Sequence, residues 1–357
     1  MNDDAERRSA LHYPIETVRA FCEAVWTAAG LSPADAALCV DVLLAGDIRG
    51  QRTHGTTHMK DYVERLLLGS TMNGANIEME LTAPSTLSVD AKYAVGMVAA
   101  PKVMARCIEE ARSSGACFAA VRRGNHYGLG AYYPMMAARE DMIGFCVANT
   151  SPIVAPYGGA DPLLGTDPLS IAIPAGRYPD LVLDIATSTV AKGRLSIARK
   201  EGVPIPPDWA LDANGTPTTD PAAAEDGGTL LPFGAHKGYG IMLINSLLSF
   251  ALSGADMDMQ LPFFFSQREA LSNTGWFMGC IDIARFADPD AFKERVDAMF
   301  DRLKQCRPSA GSRGVLIPGE IEYAMTERAE KEGIYLSEAT LRDFSSLAKR
   351  FGLEYPF

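Results

Sequence analysis

The sequence lacks an excess of positive charge. Its 33 lysine and arginine residues are outnumbered by 44 aspartate and glutamate residues, and the formal net charge is −11 at pH 7. Broad binding of nucleic acid or of an anionic membrane requires a basic surface, so this balance argues against both. A local basic pocket for a phosphate or a carboxylate is compatible with it.

Paired cysteines and long apolar segments are also missing. The seven cysteines are odd in number, form no Cys-x-x-Cys motif and lie mostly in apolar runs, so we expect buried thiols in a reducing compartment. Residues 1–13 contain no apolar segment of the kind that a secretory signal has. The longest apolar stretch, Ile241 to Gly254, is shorter than the ~20 residues of a membrane span, and we expect it to form a buried helix. These features predict a cytoplasmic protein without membrane contact.

The composition is that of a globular protein, with 47% hydrophobic and 22% charged residues among 357. Residues 1–75 show the apolar spacing of helices, the second of which is capped by Ser32. A third helix, capped by Thr56 or Thr57, is expected to end at Gly69.

Residues 76–288 alternate between short β-rich runs and helices, which predicts an α/β (α+β) domain. Residues 289–357 are mainly helical and are expected to pack with the N-terminal helices. The strands predicted in the central domain are 116–123, 142–150, 169–175, 181–186 and 276–286, and the helices are 95–112, 131–139, 190–200 and 237–252.

The usual dinucleotide-binding fingerprint, Gly-x-Gly-x-x-Gly, does not occur in the chain. The nearest approach, Gly128-Leu-Gly130, lacks the third glycine, so a standard Rossmann domain is not expected. The Walker A, Gly-x-Ser-x-Gly and His-Glu-x-x-His motifs are absent as well.

One stretch, Arg49 to His58, concentrates two arginines and two histidines between two predicted helices. Arginine matches a carboxylate with paired donors, and histidine can donate a proton near neutral pH. A 2-oxo acid needs both, an anchor for its carboxylate and an acid for its carbonyl oxygen. The alternative is a polar loop that caps a helix. A zinc site at His54 and His58 would need a third ligand, and we predict no metal.

Three further stretches combine small residues with polar ones at expected strand or helix ends. His126 follows a buried strand in a glycine-rich loop, where α/β proteins often bind ligands, although an incidental histidine in a turn is the alternative. Thr187 and Ser188 could cap a helix whose N-terminus holds a phosphate, and Asp184 could orient a histidine or bind a ribose hydroxyl. Plain helix capping would explain the same pattern. Lys237 at the start of the apolar helix could clamp a phosphate or simply be a loop lysine.

Taken in order, these stretches resemble the malate/L-lactate dehydrogenase family of the second type. That family includes sulfolactate, ureidoglycolate and diketogulonate oxidoreductases and reductases of cyclic imino acids. The motifs run from Arg49–His58 through Gly124–Gly128, Gly165–Pro168 and Asp184–Ser188 to Lys237–Gly240 and Pro318–Glu320, so the resemblance covers nearly the whole chain.

The resemblance implies a non-Rossmann NAD(P)-binding domain with a mostly antiparallel sheet, and a homodimer with its active site near the subunit interface. His54 matches the family's proton donor, and His126 matches a catalytic or nicotinamide-side residue. The candidate catalytic residues are thus His54, His126 and Asp184. The candidate substrate-binding residues are Arg49, Arg52, Thr53 and His58. The candidate cofactor-binding residues are His126, Thr166, Asp184, Thr187, Ser188, His236, Lys237, Gly238, Gly319 and Glu320.

Three positions depart from the family pattern. Thr53 replaces a serine, Asp167 replaces an asparagine, and His58 stands where the family has an arginine for the substrate carboxylate. Histidine offers one donor there and is only partly charged at pH 7. Either Arg49 or Arg52 then takes the carboxylate, or the substrate carries a different polar group at that point.

The predicted activity is hydride transfer between NADH or NADPH and a small 2-oxo or 2-hydroxy acid. The sequence does not choose between NAD and NADP, because Arg194, Arg199 and Lys200 could meet a 2′-phosphate or simply face solvent. One alternative keeps the fold but reduces a cyclic or N-alkyl 2-imino acid. Another alternative is a ligand-binding protein that has lost catalysis. Its support is that His58 replaces the arginine of the family pattern.

Overall fold

The computed structural model describes residues 11–74 and 76–357. Its longer helices are α1 (Ile15–Ala28), α2 (Pro33–Ile48), α3 (Met59–Leu68), α4 (Gly96–Ser114), α5 (Tyr132–Ala138), α6 (Lys192–Glu201), α7 (Pro221–Glu225), α8 (His236–Ser246), α9 (Pro289–Lys304), α10 (Glu320–Glu332) and α11 (Glu338–Phe351). Its strands are β1 (His12–Tyr13), β2 (Glu78–Ala83), β3 (Thr86–Asp90), β4 (Ala116–Gly124), β5 (Met142–Ala148), β6 (Leu169–Ile173), β7 (Leu181–Ile185), β8 (Ala210–Leu211), β9 (Thr229–Leu230), β10 (Thr274–Asp282) and β11 (Ile334–Tyr335).

The central sheet has seven strands in the order β2-β3-β4-β10-β5-β6-β7. Only the β3–β4 pair is parallel, and all other neighbours are antiparallel. The predicted mixed α/β fold with a mostly antiparallel sheet is therefore confirmed. The five predicted strands correspond to β4, β5, β6, β7 and β10, whereas β2 and β3 are not among the strands predicted from the sequence.

Helix α5 packs on β5 at very short range. A Cβ atom on Gly144 would lie 2.4 Å from Pro134 Cα, so only glycine permits this approach. The core that results from the sheet and helices contains the fully buried Trp26 and Trp276. Replacing either indole by alanine is expected to destabilise the fold by ~3–5 kcal/mol.

The first and last described segments of the chain lie against each other. Strand β1 pairs antiparallel with β11, and the Phe21 ring of α1 lies 5.0 Å from the Phe344 ring of α11. One hydrophobic core runs continuously from these helices into the central sheet. A second, smaller core lies around Val154, Leu195 and Met242. The division into domains at 1–75, 76–288 and 289–357 stays a prediction.

Two of the helix ends predicted from local sequence patterns are confirmed, and one is wrong. Ser32 Oγ accepts a hydrogen bond from Asp35 N at 3.1 Å, and α3 ends at Gly69 with a φ of 73°, both as predicted. The proposed cap of α3 by Thr56 or Thr57 is wrong. Two 3₁₀ turns, Arg52–His54 and Thr56–His58, occupy this stretch, and α3 starts only at Met59.

Two burial predictions need correction. Six cysteines are buried, but Cys306 is exposed. The apolar run 241–254 is helical, with a π turn at Leu247–Ala251, but it is not buried throughout, since Ile244 is 58% and Leu252 58% exposed. Within the described residues, no helix is both long and apolar enough to cross a membrane.

Candidate active site

The loop that carries His54 is anchored to the end of α2. Asp47 Oδ2 accepts a hydrogen bond from Thr56 N at 2.9 Å. A Cβ atom on Gly55 would lie 2.0 Å from Asp47 Oδ1, so the residue after His54 has to be glycine. Burial raises the pKa of Asp47 to about 6, although the hydrogen bond from Thr56 acts to lower it. His54 itself is half-buried, and its Nδ1 lies 3.2 Å from Thr53 Oγ1.

His126 lies in the loop after β4 and is stacked on His54, with ring centroids 5.9 Å apart and an interplanar angle of 14°. The N–H of Gly128 donates to His126 Nδ1 at 3.2 Å, and Tyr62 Oη lies 2.6 Å from the same atom. A backbone N–H can only donate, so Nδ1 is unprotonated and the neutral ring carries its proton on Nε2. Burial, with added repulsion from His54 and His58, lowers the pKa of His126 well below 6.5.

Asp184 stands on β7, close enough to His54 for the two charges to interact. Its Oδ1 accepts from Ser170 Oγ at 2.6 Å and its Oδ2 from Ala131 N at 3.1 Å. Burial raises the pKa of Asp184, and the nearby His54 and Arg49 oppose that rise. Burial likewise lowers the pKa of His54, with the charge of Asp184 acting against the shift. Burial thus favours the neutral form of both groups, and their mutual attraction acts against it.

The two candidate arginines face different surroundings. Arg49 is only 5% exposed, lies close enough to Asp184 to influence its charge, and stacks over the Tyr323 ring at 5.1 Å. Its Nε meets no hydrogen-bond partner in the described part of the chain. Arg52 is exposed and stacks over the Tyr335 ring at 4.6 Å. The structure therefore brings Arg49, rather than Arg52, to the group formed by His54 and Asp184.

His58 also lies near His54 and His126, close enough to lower the pKa of both rings. Its Nδ1 is 3.0 Å from Asp61 Oδ2, and its ring stacks on Phe265 with centroids 4.1 Å apart. In residues 11–74 and 76–357 no group of three metal-ligating side chains occurs. The contacts of His58 are therefore with the Asp61 carboxylate and the Phe265 ring.

Three of the predicted cofactor stretches adjoin one another. Thr166 O accepts hydrogen bonds from both the N and the Oγ1 of Thr187, each at 2.8 Å. Phe233 N donates to Thr187 O at 3.0 Å, which brings the loop before α8 beside them. At the start of α8, His236 and Lys237 are exposed. A Cβ atom on Gly238 would lie 1.8 Å from Phe233 O, so this turn requires glycine.

The interpretation of Thr187 and Ser188 as helix caps is wrong. Helix α6 begins only at Lys192, with Ala191 before it. The Thr187 hydroxyl binds Thr166 O, and Ser188 Oγ donates to Val190 O at 2.9 Å. These residues shape the loop next to α8, whose first turn contains His236 and Lys237.

Gly319 and Glu320 reach the site from the C-terminal part of the chain. Gly319, with a φ of 100°, packs against Val182 on β7, and Pro318 O accepts from Val182 N at 2.9 Å. Glu320 Oε2 accepts from Lys304 Nζ at 2.5 Å and from Ile317 N at 3.0 Å. Its carboxylate is thus already engaged, whereas Gly319 lies beside the strand that carries Asp184.

Sequence reasoning missed Tyr62, Ser170 and Phe265. Tyr62 lies on α3 four residues after His58, the residue just before that helix, so helical spacing could have indicated that the two are neighbours. Ser170 and Phe265 meet the site only through the sheet pairing and a long loop, for which the sequence offered no signal.

Comparison with known proteins agrees with this geometry. The family model described as malate/L-lactate dehydrogenase matches residues 13–345. The chain belongs to this family. The prediction of a nicotinamide-dependent dehydrogenase of this family is thereby confirmed.

Individual relatives match over nearly their whole length. The L-sulfolactate dehydrogenase of Methanothermobacter thermautotrophicus is 37% identical over 340 residues, which cover 95% of this chain and 97% of that one. The ureidoglycolate dehydrogenase (NAD(+)) of Escherichia coli O157:H7 is 33% identical, with 89% and 90% covered. The (2R)-3-sulfolactate dehydrogenase (NADP(+)) of Chromohalobacter salexigens is 30% identical, with 90% and 93% covered. Relatives of both cofactor types are thus present.

Solved structures give the same result. The sulfolactate dehydrogenase from Methanocaldococcus jannaschii superposes with a TM-score of 0.92 at 31% identity, covering 96% of this chain and 98% of that one. The delta1-piperideine-2-carboxylate reductase from Pseudomonas syringae superposes with a TM-score of 0.83 at 25% identity, covering 94% and 99%.

Proposed function

We propose that this chain transfers hydride between NADH or NADPH and a small 2-oxo or 2-hydroxy acid. The observation that carries the proposal is the stack of His54 on His126, with Asp184 and the buried Arg49 next to it. A bound nicotinamide supplies or accepts the hydride, and the side chains supply the proton and hold the substrate.

Each residue has a role that its surroundings permit. His54, flanked by the Asp184 charge, protonates the substrate oxygen on reduction and takes the proton back on oxidation. His126, fixed with its proton on Nε2, donates a hydrogen bond to the substrate oxygen or to the nicotinamide amide. Arg49 holds the carboxylate, because a buried guanidinium with an unmatched Nε favours an anionic partner.

The cofactor would lie along the loops of Thr166, Thr187 and Ser188 and reach Gly319 beside β7. Its phosphates would meet the N-terminus of α8, at His236 to Gly238, where the helix dipole and Lys237 both favour anions. This site needs no Gly-x-Gly-x-x-Gly loop, so we propose a non-Rossmann binding mode. Of the three basic residues considered for a 2′-phosphate, Arg199 is already paired with Glu225 and Asp226 at 3.1 Å each, so we propose Arg194 and Lys200 for that contact.

A cyclic or N-alkyl 2-imino acid is the second candidate substrate. A structural relative is named for reduction of a cyclic imino carboxylate. The same site could act on it, because His54 can protonate a nitrogen as well as an oxygen. Turnover of pyruvate only when an amine is present would favour this alternative.

We also propose a cytoplasmic homodimer whose partners are small molecules, with no nucleic acid or membrane among them. The exposed apolar side chains of Ile244, Leu247 and Leu252 favour a protein contact on this side of α8. The net charge of −11 disfavours a nucleic acid there.

The experiment is a panel of 2-oxo acids, each with and without methylamine, assayed with NADH and with NADPH. Cofactor-dependent reduction of at least one acid supports the proposal. Failure of both reduced cofactors to bind, measured by their fluorescence, would indicate a ligand-binding protein without catalysis.

A further inference from the structure

An aromatic wall stands beside the catalytic histidines. It consists of Phe264 and Phe265, in the long loop between α8 and β10. The Phe265 ring lies 5.3 Å from the His126 ring and 4.1 Å from the His58 ring, while Phe264 lies 5.4 Å from His126. Phe264 is buried, but Phe265, His58 and His126 each keep part of their surface exposed. A molecule next to His126 therefore meets the ring of Phe265.

This wall is held rigidly by α3. The Arg65 side chain is fully buried and donates to Phe264 O at 3.0 Å, Gln267 O at 3.1 Å and Ala270 O at 2.6 Å. Its guanidinium also stacks on the Phe264 ring at 4.2 Å. Because three carbonyls of the loop bind one side chain, the position of Phe265 is fixed before any substrate binds.

The charges around the wall are already paired. His58 Nδ1 faces Asp61 Oδ2, and Asp61 Oδ1 accepts from Arg268 Nη2 at 2.6 Å. Arg268 also forms an ion pair with Glu64. An anionic group placed here would meet a histidine that is tied to a carboxylate, in place of the free guanidinium that an arginine at position 58 would offer.

We propose that His58 and Phe265 form the pocket for the substrate's side chain and that this pocket selects an apolar one. The substrate is then a 2-oxo, 2-hydroxy or 2-imino acid with a single carboxylate, which Arg49 binds, and an aliphatic or aromatic side chain. A second carboxylate would lose water against Phe265 and would meet Arg268 already engaged by Asp61 and Glu64, whereas an apolar group loses contact with water favourably. This inference rests on the proposed function and names its substrate class.

The test compares kcat/KM for matched 2-oxo acids with the cofactor that supports turnover, with methylamine present and absent. The apolar set is 2-oxopentanoate, 4-methyl-2-oxopentanoate and phenylpyruvate, and the dianionic set is oxaloacetate and 2-oxoglutarate. At least one apolar acid is expected to exceed both dianions by roughly tenfold or more. Better turnover of a dianion would overturn this inference while leaving the proposed function intact, and no turnover of any acid would overturn both.

Variants locate the selectivity. Phe265→Ala is expected to raise KM for the large apolar acids roughly tenfold, with a smaller effect on pyruvate, and Phe265→Leu is expected to recover much of the loss. The matched control is Phe263→Ala, an exposed neighbour whose ring lies 5.8 Å from Lys192 Nζ. An equal loss for pyruvate and for the large acids in Phe265→Ala would assign Phe265 a purely structural role and overturn the proposal.

His58→Arg introduces the guanidinium that the pocket lacks at this position. It is expected to raise kcat/KM of the dianions relative to the apolar acids by roughly tenfold, and an unchanged ratio would contradict the assignment of His58 to the side-chain pocket. The thermal unfolding midpoint of each variant establishes that the comparison is made between folded proteins.

Discussion

Tyr62 Oη lies 2.6 Å from Nδ1 of His126, on the opposite side of the ring from its proton. Together with the N–H of Gly128, this phenol fixes the tautomer in which Nε2 is the donor. Burial raises the pKa of Tyr62 far above its ordinary value of 10, so the phenol stays protonated and can donate. The nitrogen of His126 that carries the proton is therefore set in part from α3, the helix that carries Tyr62.

Replacing Tyr62 by phenylalanine removes one of the two donors to Nδ1. The lost hydrogen bond corresponds to about 0.5–1.5 kcal/mol, so kcat/KM is expected to fall by about two- to tenfold. The nitrogen NMR signals of His126 are expected to show a larger share of the Nδ1-protonated tautomer than in the unsubstituted protein, because only Gly128 N–H then opposes it. A variant with lowered activity but an unchanged imidazole spectrum would mean that Tyr62 acts in another way.

Loss of the proton donor should be more severe. His54→Ala is expected to lower kcat by roughly a hundredfold or more, the usual scale for a general acid, without unfolding the protein because the ring is only half-buried. The control is His12→Ala on β1, for which turnover close to the unsubstituted enzyme is expected. Near-normal turnover of His54→Ala, measured under saturating substrate, would remove His54 from the role.

The pH dependence of the reaction follows from the lowered pKa of His54. Reduction needs the protonated ring, so its kcat/KM is expected to fall as pH rises through a value below 6.5, while oxidation of the hydroxy acid gains over the same range. The Asp184 carboxylate favours the protonated ring, so Asp184→Asn should move this limb to still lower pH. Profiles of kcat/KM against pH for the unsubstituted enzyme and for Asp184→Asn, in the directions of reduction and of oxidation, measure this shift. A shift to higher pH in Asp184→Asn would contradict the stated effect of the carboxylate.

The site could be predicted from the sequence where its signals are local. Ser32 and Gly69 marked helix ends, and the glycine-rich loop of His126 followed a recognisable buried strand. The different surroundings of Arg49 and Arg52 could not be predicted from the sequence. Arg49 stacks on Tyr323 and Arg52 on Tyr335, and both tyrosines lie near the C-terminus, far away in sequence. The cap assigned to Thr187 failed for the same reason. Its hydroxyl had a partner in a distant loop, and pattern reasoning weighs only the neighbours in sequence.

Asp167 stands where the family pattern has asparagine. Asp167 is fully buried with a φ of 26°, and its Oδ1 accepts from Thr150 N at 3.0 Å. Its carboxyl group faces that of Asp258, which is engaged by Asn149, Gly165 and Ser246. Burial and the neighbouring Asp258 raise the pKa of Asp167 well above 3.8, because two adjacent buried carboxylates cannot both be ionised cheaply.

A carboxyl whose pKa is higher in the folded than in the unfolded state stabilises the fold fully only below the unfolded value. That stability is lost progressively as pH rises from about 3.8 towards the folded pKa. An amide at position 167 can donate to Asp258 at every pH, so Asp167→Asn is expected to raise the thermal midpoint over the unsubstituted protein, increasingly so from pH 5 to pH 8. The control is Asp161→Asn, which replaces an exposed carboxylate of the same loop region. The difference between its thermal midpoint and that of the unsubstituted protein should stay constant from pH 5 to pH 8. A midpoint difference for Asp167→Asn that shrinks with rising pH would mean that the aspartate is ionised in the folded protein and that the two carboxyl groups do not share a proton.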